Sequence, residues 1–244
     1  MKTTSLFLVL TGLVLTAATE ATAQVSERTK YYLNINVGVQ PASQTLDSTF
    51  TVPVYSQTAA AATNQVVGGE PIFDIAGGYR VRQNIGIALG FSSMSSSGTI
   101  AGTASVPSPL FFNQYKTVDI GGQSFNRTDR DVYVIFMWYV PVTNRIEIAL
   151  FAGPTFTHVK QDLVTSVAVP AGTQNAVAVV ESRSGTAGGA NVGFDASYLF
   201  TKFYGAGIFV RYNGGSTDLA TTGDSTVNVK GGGFQMGIGA RLRF

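Results

Sequence analysis

The stretch from Phe234 to Phe244 reads FQMGIGARLRF. Every second residue is apolar, from Phe234 through Ile238 to Phe244, and the residues between them are glycine, glutamine or arginine. A strict period of two is typical of a β-strand with one apolar and one polar face. The segment therefore predicts a strand whose two faces meet very different surroundings.

Seven further segments alternate in the same way. Opposite their apolar residues stand mostly glycine, alanine, serine, asparagine and charged residues. Glycine and alanine suit the crowded interior of a narrow closed barrel better than a water-exposed face. Segments of about 9–11 residues also match tilted strands that cross a bilayer. The seven segments cover residues 31–39, 73–82, 85–92, 132–140, 146–156, 190–198 and 203–212.

Short and long connections alternate between these segments. The short ones lie around residues 83–84, 141–145 and 200–202, and the long ones cover about 41–70, 93–130, 158–186 and 213–230. Tight periplasmic turns and long external loops give transmembrane barrels this asymmetry. The sequence thus predicts an all-β fold, a closed antiparallel eight-stranded up-and-down transmembrane β-barrel with short periplasmic turns and long external loops.

Aromatic residues support the same fold independently. If the first strand runs outward, eleven of them fall on the apolar face near the strand ends, as expected for girdles at the two membrane interfaces. The predicted periplasmic ring contains Tyr31, Tyr79, Trp138, Tyr198, Tyr204 and Phe244, and the predicted external ring contains Phe73, Phe91, Phe156, Tyr212 and Phe234.

The first 23 residues have the features of a cleaved signal peptide. The apolar run Leu6–Leu15 is about half the length that a membrane-spanning helix needs. Ala21 and Ala23 form a small-x-small cleavage site before Gln24. We expect export to remove residues 1–23 and to leave a single barrel domain of residues 24–244.

Composition excludes several classes of function. The chain has no cysteine, which excludes a disulfide scaffold, a cysteine-ligated zinc site and a thiol nucleophile. Its 16 basic and 14 acidic residues give a net charge of +2, so it lacks the basic footprint of a nucleic-acid-binding protein. We expect a monomer with no cofactor, no metal and no nucleic-acid partner.

With these features the chain resembles the small eight-stranded outer-membrane barrels of the OmpA/OmpX-like superfamily, over about residues 30–244. The terminal alternating strand and the stretch Leu150–Pro154 carry the resemblance. It implies that Ala240, Leu242 and Phe244 belong to the signal read by the barrel-assembly machinery. It also implies a location in the bacterial outer membrane, in contact with its lipid. Unlike the two-domain members, this sequence ends with the barrel strand, so we expect no peptidoglycan-binding domain.

Charged residues on the polar face are predicted to point into the barrel, where two interpretations are open. They could line a charge-gated conduit, or they could pair inside a packed interior. Small eight-stranded barrels usually have filled interiors, and an unpartnered buried charge is costly. Bulky residues share this face: Tyr133, Met137, Tyr139, Phe151 and Phe209. We therefore favour a paired lumen charge network of Asp74, Arg80, Glu147, Asp195, Arg211 and Arg241, with Arg82 and Arg243 on the same face.

The function we expect is a non-enzymatic structural or surface-interaction role, with an unknown ligand at the external loops. The apolar run Leu110–Phe112 in the second long loop is a candidate binding tip. A small passive pore is the alternative, and a lipid-modifying enzyme is the second. For the enzyme, His158 is the only histidine, but no serine stands two residues after it and nothing in the sequence places Asp162 behind it. We expect no catalytic residues.

Replacing Phe244 by serine should impair assembly more than it impairs the folded barrel. One aromatic side chain at the membrane edge contributes only about 1–2 kcal/mol, yet Phe244 ends the presumed recognition strand. Outer-membrane levels of F244S should fall well below those of the unmodified protein, whereas the refolded variant should unfold at a similar urea concentration. Normal levels of F244S in the outer membrane would contradict the assigned assembly role.

Overall fold

The computed structural model describes residues 29–41, 44–67, 69–172, 174–220 and 226–244. These residues form β-strands joined by turns and bends, and none belongs to a helix that is long and apolar enough to cross a membrane. The strands are β1 (Tyr31–Gln40), β2 (Gln44–Val54), β3 (Gln57–Val67), β4 (Glu70–Arg82), β5 (Ile85–Pro107), β6 (Tyr115–Asp119), β7 (Ser124–Pro141), β8 (Ile146–Ala168), β9 (Val177–Leu199), β10 (Tyr204–Ala220) and β11 (Thr226–Arg243).

Eight of these strands close into a ring. In order around it they are β1, β4, β5, β7, β8, β9, β10 and β11, every neighbouring pair is antiparallel, and β11 pairs back with β1. At the seam, the Tyr31 amide donates to the Phe244 carbonyl over 3.0 Å and the Phe244 amide donates to the Tyr31 carbonyl over 2.8 Å. The predicted eight-stranded barrel is confirmed, and each predicted segment forms part of one ring strand.

The outer face of the ring is apolar. All eleven aromatic residues predicted to face lipid lie on it, with exposed fractions between 37% and 62%. Between the two aromatic rings the outer face carries aliphatic side chains such as Leu89 and Ile238, at 61% and 62% exposure. Large apolar side chains held outward around a closed barrel are stable only in an apolar surrounding, which identifies this belt as the lipid-facing surface.

Glycines on the inner face make room for large neighbours. A Cβ atom on Gly78 would lie 2.3 Å from the Tyr32 ring, and one on Gly90 would lie 2.2 Å from the Tyr133 ring. Both tyrosines are buried in the lumen. Alternating glycine and aromatic residues across neighbouring strands thus fill the lumen without expanding the ring.

The long connections differ from the prediction, because much of their length is β-structure rather than loop. β5, β8 and β9 each run for 23 residues, about twice what a membrane crossing needs. β2, β3 and β6 form an additional sheet on the outer part of β5. Small apolar residues bury their own core there, including Ala61, Ala104, Val106, Ile120 and Val167.

Candidate functional site

Three ion pairs occupy the lumen at membrane depth. The Arg80 guanidinium contacts both carboxylate oxygens of Glu147, over 2.8 and 2.9 Å. Arg211 Nη1 donates to Asp74 Oδ2 over 2.8 Å. Each pair crosses the lumen between strands that stand three places apart in the ring: β4 with β8, and β10 with β4. The structure therefore brings four of the six predicted network residues together across the barrel.

The third ion pair joins β9 to β11 and passes over the strand between them. Arg241 Nε donates to Asp195 Oδ1 over 3.1 Å, and both side chains are buried. The guanidinium crosses β10 at Gly207, where a Cβ atom would lie 2.7 Å from Arg241 Nε. Glycine at this position opens the path between the two charges.

An asparagine connects two of these pairs, and a tyrosine adds a further hydrogen bond to Asp74. Asn36 donates from Nδ2 to Asp74 over 2.6 Å and accepts at Oδ1 from Arg241 over 2.6 Å. The Tyr133 hydroxyl donates to the second Asp74 oxygen over 2.6 Å. Asp74 thus accepts from three side chains. A buried carboxylate needs this degree of hydrogen bonding to offset the loss of water.

Aromatic rings fill most of the remaining lumen. The Arg80 guanidinium carbon lies 3.8 Å from the centroid of the Tyr139 ring, and that of Arg211 lies 5.0 Å from the centroid of the Tyr133 ring. One cavity among these side chains measures about 20 Å³ and is lined by Asn36, Asp74 and their neighbours. It holds about one water molecule. Buried ion pairs and aromatic rings therefore pack the lumen closely at membrane depth.

Arg82 does not join the other predicted inward charges. It is exposed, whereas Arg243 is buried 3.8 Å from Glu147. A β-bulge shifts the register of β4 against β5 between Arg80 and Arg82. The extra residue in the bulge reverses the parity at this end of the strand and turns Arg82 outward.

A second charged cluster lies in the outer part of the lumen. It was not predicted from the sequence. This outer lumen cluster contains Glu70, Arg127, Asp129 and Asp131, all buried. Arg127 Nη2 donates to Asp129 over 2.7 Å, and its Nε lies 3.9 Å from Glu70. The residues fell within connections assigned to loops. The signal that could have found them is the polar alternation Arg127-x-Asp129-x-Asp131, which continues the inward face of the strand.

Glu70 is poorly compensated in this cluster. It stands three residues beyond Phe73 of the external aromatic ring, outside the membrane-spanning part of β4. Its side chain is 1% exposed, and neither carboxylate oxygen accepts a hydrogen bond from any residue that the structure describes. Burial raises the pKa of Glu70 from 4.5 to about 7, Asp129 adds to the rise, and Arg127 opposes it. The carboxyl group of Glu70 is therefore partly protonated near neutral pH.

The distal end of the molecule is formed by three hairpin turns. The Tyr55 hydroxyl in the β2–β3 turn donates to the Pro170 carbonyl in the β8–β9 turn over 3.3 Å. The Asn113 amide in the β5–β6 turn donates to Gln57 Oε1 over 2.9 Å. The run Leu110–Phe112 lies in the β5–β6 turn and is exposed, at 83%, 59% and 73% for the three residues in order.

His158 lies on the exposed face of β8. Its Nδ1 is 3.1 Å from the Thr186 hydroxyl. Asp162, the carboxylate nearest in sequence, accepts instead from the Asn126 backbone amide over 3.0 Å. The contacts of His158 and Asp162 therefore do not form the histidine–carboxylate relay that an acyl hydrolase uses. Among the described residues no group of three or more acidic or histidine side chains has the arrangement of a metal site.

The predicted assembly-signal residues lie at the end of the last ring strand. Ala240 and Phe244 are exposed and Leu242 is half-buried, all on the outer parity of β11 and the residue that follows it. Such a placement leaves an apolar strip beside the seam with β1. The predicted cleavage residues Ala21, Ala23 and Gln24 lie outside the described residues.

Removing Glu147 should destabilise the barrel more than removing a lipid-facing neighbour. The substitution E147Q leaves Arg80 and Arg243 buried without their carboxylate, which should lower the free energy of unfolding by about 3–5 kcal/mol. Adding R80M should restore part of that loss, because one orphan charge disappears. Urea unfolding from lipid vesicles measures both effects. In the control, I148A should lose packing energy alone and show no coupling to R80M. If the coupling energy of I148A with R80M equalled that of E147Q with R80M, the pairing of Glu147 with Arg80 would be contradicted.

Glu70 should make stability fall as pH rises from about 4.5 to 7. Over this window the unfolded chain releases the proton while the native state retains it, so the native state loses its advantage as pH increases. Each unit of pKa difference corresponds to about 1.4 kcal/mol. E70Q should be less sensitive to pH than the unmodified protein in urea unfolding at pH 5 and 7.5. In the control E181Q, whose native side chain is 51% exposed, the pH dependence should be retained. Identical slopes for E70Q and the unmodified protein would refute the role of Glu70.

Comparisons with known proteins gave matches among solved structures. No family model and no curated protein matches the chain. Among solved structures, the outer membrane protein OprG from Pseudomonas aeruginosa aligns with a TM-score of 0.54 and 11% identity, over 89% of this chain and 96% of that chain. Neisserial surface protein A, NspA, aligns with a TM-score of 0.46 and 14% identity, over 88% and 97%. Outer membrane protein W of Escherichia coli aligns with a TM-score of 0.42 and 12% identity, over 90% and 100%.

At 11% identity, the similarity to OprG concerns the fold alone. It agrees with the closed ring of eight antiparallel strands and with the apolar outer belt between two aromatic rings. The chain has the fold of the small eight-stranded outer-membrane β-barrels.

Proposed function

We propose that the protein is a non-enzymatic barrel of the bacterial outer membrane that does not conduct and acts through its external end. The observation that carries this proposal is the closely packed lumen at membrane depth. Ion pairs cross the lumen from Arg80 to Glu147 and from Arg211 to Asp74, and the cavity beside Asp74 measures only about 20 Å³. A solute would have to break buried ion pairs to pass, at a cost of several kcal/mol each.

The distribution of β-structure supports an external role. The turns at the end near Tyr31 and Tyr79 are short, whereas β5, β8 and β9 continue far beyond the external aromatic ring. The extension has cores of its own, one around Ile100 and Phe125 and another around Val159 and Leu219. An ordered structure of this size beyond the membrane presents a defined surface, as a binding scaffold requires.

Refolded protein in planar bilayers should show negligible conductance or rare, small openings. The double variant R80A/E147A should open more often, because it removes one of the ion pairs that cross the lumen. Its openings also show that protein inserted in the bilayer can be detected. Large, steady, ion-selective currents from the unmodified protein would overturn the proposal and favour the passive-pore alternative.

The enzymatic alternative is tested separately. Mass analysis of lipid A from cells with and without the protein should give the same species. A new lipid A mass that disappears in H158A would identify a lipid-modifying activity and contradict the non-enzymatic proposal. The variant T186A serves as the control, because it removes the hydrogen-bond partner of His158 and keeps the imidazole.

A further inference from the structure

The β5–β6 turn exposes three consecutive large apolar side chains at the far end of the molecule. We call Leu110, Phe111 and Phe112 the apolar tip. Leu110 is 83% exposed, and Tyr115 beside the tip is 49% exposed. Many other apolar residues beyond the external aromatic ring are buried in local cores, for example Val106 and Ile120, and the exposed ones, Val66 and Val177, are single valines at about 50% exposure. The apolar tip is therefore excluded from a core that lies within the same hairpin.

Local hydrogen bonds hold the apolar tip in this conformation. The Ser108 amide donates to the Gln114 carbonyl over 2.7 Å and closes the turn. The Ser108 hydroxyl accepts from the amides of Leu110 and Phe111, each over 3.3 Å. Pro107 and Pro109 restrict the backbone on either side of Ser108. Such a preorganised turn keeps apolar side chains outward and reduces the entropy lost when they bind.

Few charged residues lie near the apolar tip. In β6, which leads away from the tip, Lys116 and Asp119 are exposed and are opposite in sign. The three segments that form the distal end, residues 48–69, 93–115 and 163–180, contain no aspartate, glutamate, lysine, arginine or histidine. At the chain's own average of 12% charged residues, several would be expected. Serine, threonine, asparagine and glutamine supply the polar atoms instead. The distal end is thus electrically neutral as well as apolar at its centre.

The apolar tip cannot reach the membrane that holds the barrel. β5 runs from the external ring residue Phe91 to Pro107 without interruption, and its outer part stays paired with β3, β6 and β7. Sixteen residues at about 3.3 Å each give roughly 50 Å of strand. At a tilt of about 45° the end still stands some 35 Å above the external ring. Whatever covers the apolar tip approaches from outside the cell.

We propose that the apolar tip inserts into the interface of an apposed lipid bilayer whose headgroups carry no net charge, such as phosphatidylcholine. Leucine and phenylalanine are residues that anchor proteins at bilayer interfaces, and Tyr115 beside them is a typical headgroup-level residue. Anionic membranes are recognised by clustered lysine and arginine, which this end lacks. Protein interfaces favour arginine beside their apolar anchors, and the three distal segments contain none. The inference rests on the proposed external role and names its partner.

The test uses the mature protein in nanodiscs, so that its lipid-facing belt is already covered. Trp138 is the only tryptophan, and the double variant W138F/F112W moves the single fluorophore into the apolar tip. Vesicles of brominated phosphatidylcholine, which quench tryptophan at close contact, should quench this emission. In the control W138F/F200W, with the fluorophore in the exposed turn at the opposite end, quenching should be absent. Binding should be insensitive to salt.

A second pair of variants separates the tip from general stickiness. The triple variant L110S/F111S/F112S should bind the vesicles at least about tenfold more weakly, because three apolar side chains no longer transfer out of water. V142S/F200S/F203S removes three exposed apolar residues at the other end and should bind like the unmodified protein. Circular dichroism should confirm the β-sheet content of both variants before they are compared.

Three results would overturn the inference. They are unquenched emission from the tip fluorophore, equal vesicle binding by the tip variant, and binding confined to anionic vesicles and lost in salt. Attachment to cells that disappears after protease treatment, without binding to phosphatidylcholine vesicles, would assign a protein partner and leave the external role intact. Failure of the external role itself would appear in the conductance measurement, which does not involve the apolar tip.

Discussion

Closure of the ring at the seam between β1 and β11 is the constraint on which the rest of the structure depends. No water is available in the bilayer core to satisfy free backbone groups, so a sheet can cross only if its two edges pair with each other. The hydrogen bonds between Tyr31 and Phe244 complete that pairing at the inner end. Eight strands then set a narrow diameter, and a narrow diameter dictates which side chains the inner face can accept.

The inner face meets this demand in two ways. Glycines such as Gly78 and Gly90 leave space for aromatic rings on neighbouring strands. Charges are admitted as hydrogen-bonded ion pairs, with Asp74 held by Arg211, Asn36 and Tyr133 together. Buried pairs of this kind contribute little net stability compared with apolar packing, but the loss of one partner is costly. In this barrel the pairs cross the lumen and help to close it.

Beyond the membrane the strands of the ring enclose a different interior. The strands continue, and apolar side chains turn inward and pack against each other. The outer lumen cluster contains more negatively than positively charged groups. Glu70 has only a distant cation there, at 3.9 Å from Arg127, and its pKa near 7 reflects this imbalance. The barrel wall at membrane depth is thus closed and paired, whereas the external part holds a proton-sensitive interior and a neutral, apolar end. We propose that the function lies in this external part.

The sequence by itself determined the ring of eight strands, the face of each strand that meets lipid, and the two aromatic rings. A period of two assigns every residue of a strand to lipid or lumen. Seven of the eight charges predicted to point inward and all eleven outward aromatic residues followed from parity alone. Ion-pair partners did not, because Arg80 and Glu147 are 67 residues apart and meet only through the register of the strands between them. The tertiary structure also turned Arg82 outward by a bulge and converted the alanine-, serine- and threonine-rich connections into strands. Residues such as the AAAA of β3 have too little contrast between faces to reveal a strand, and they become one only when the neighbouring β5 supplies hydrogen bonds and a core.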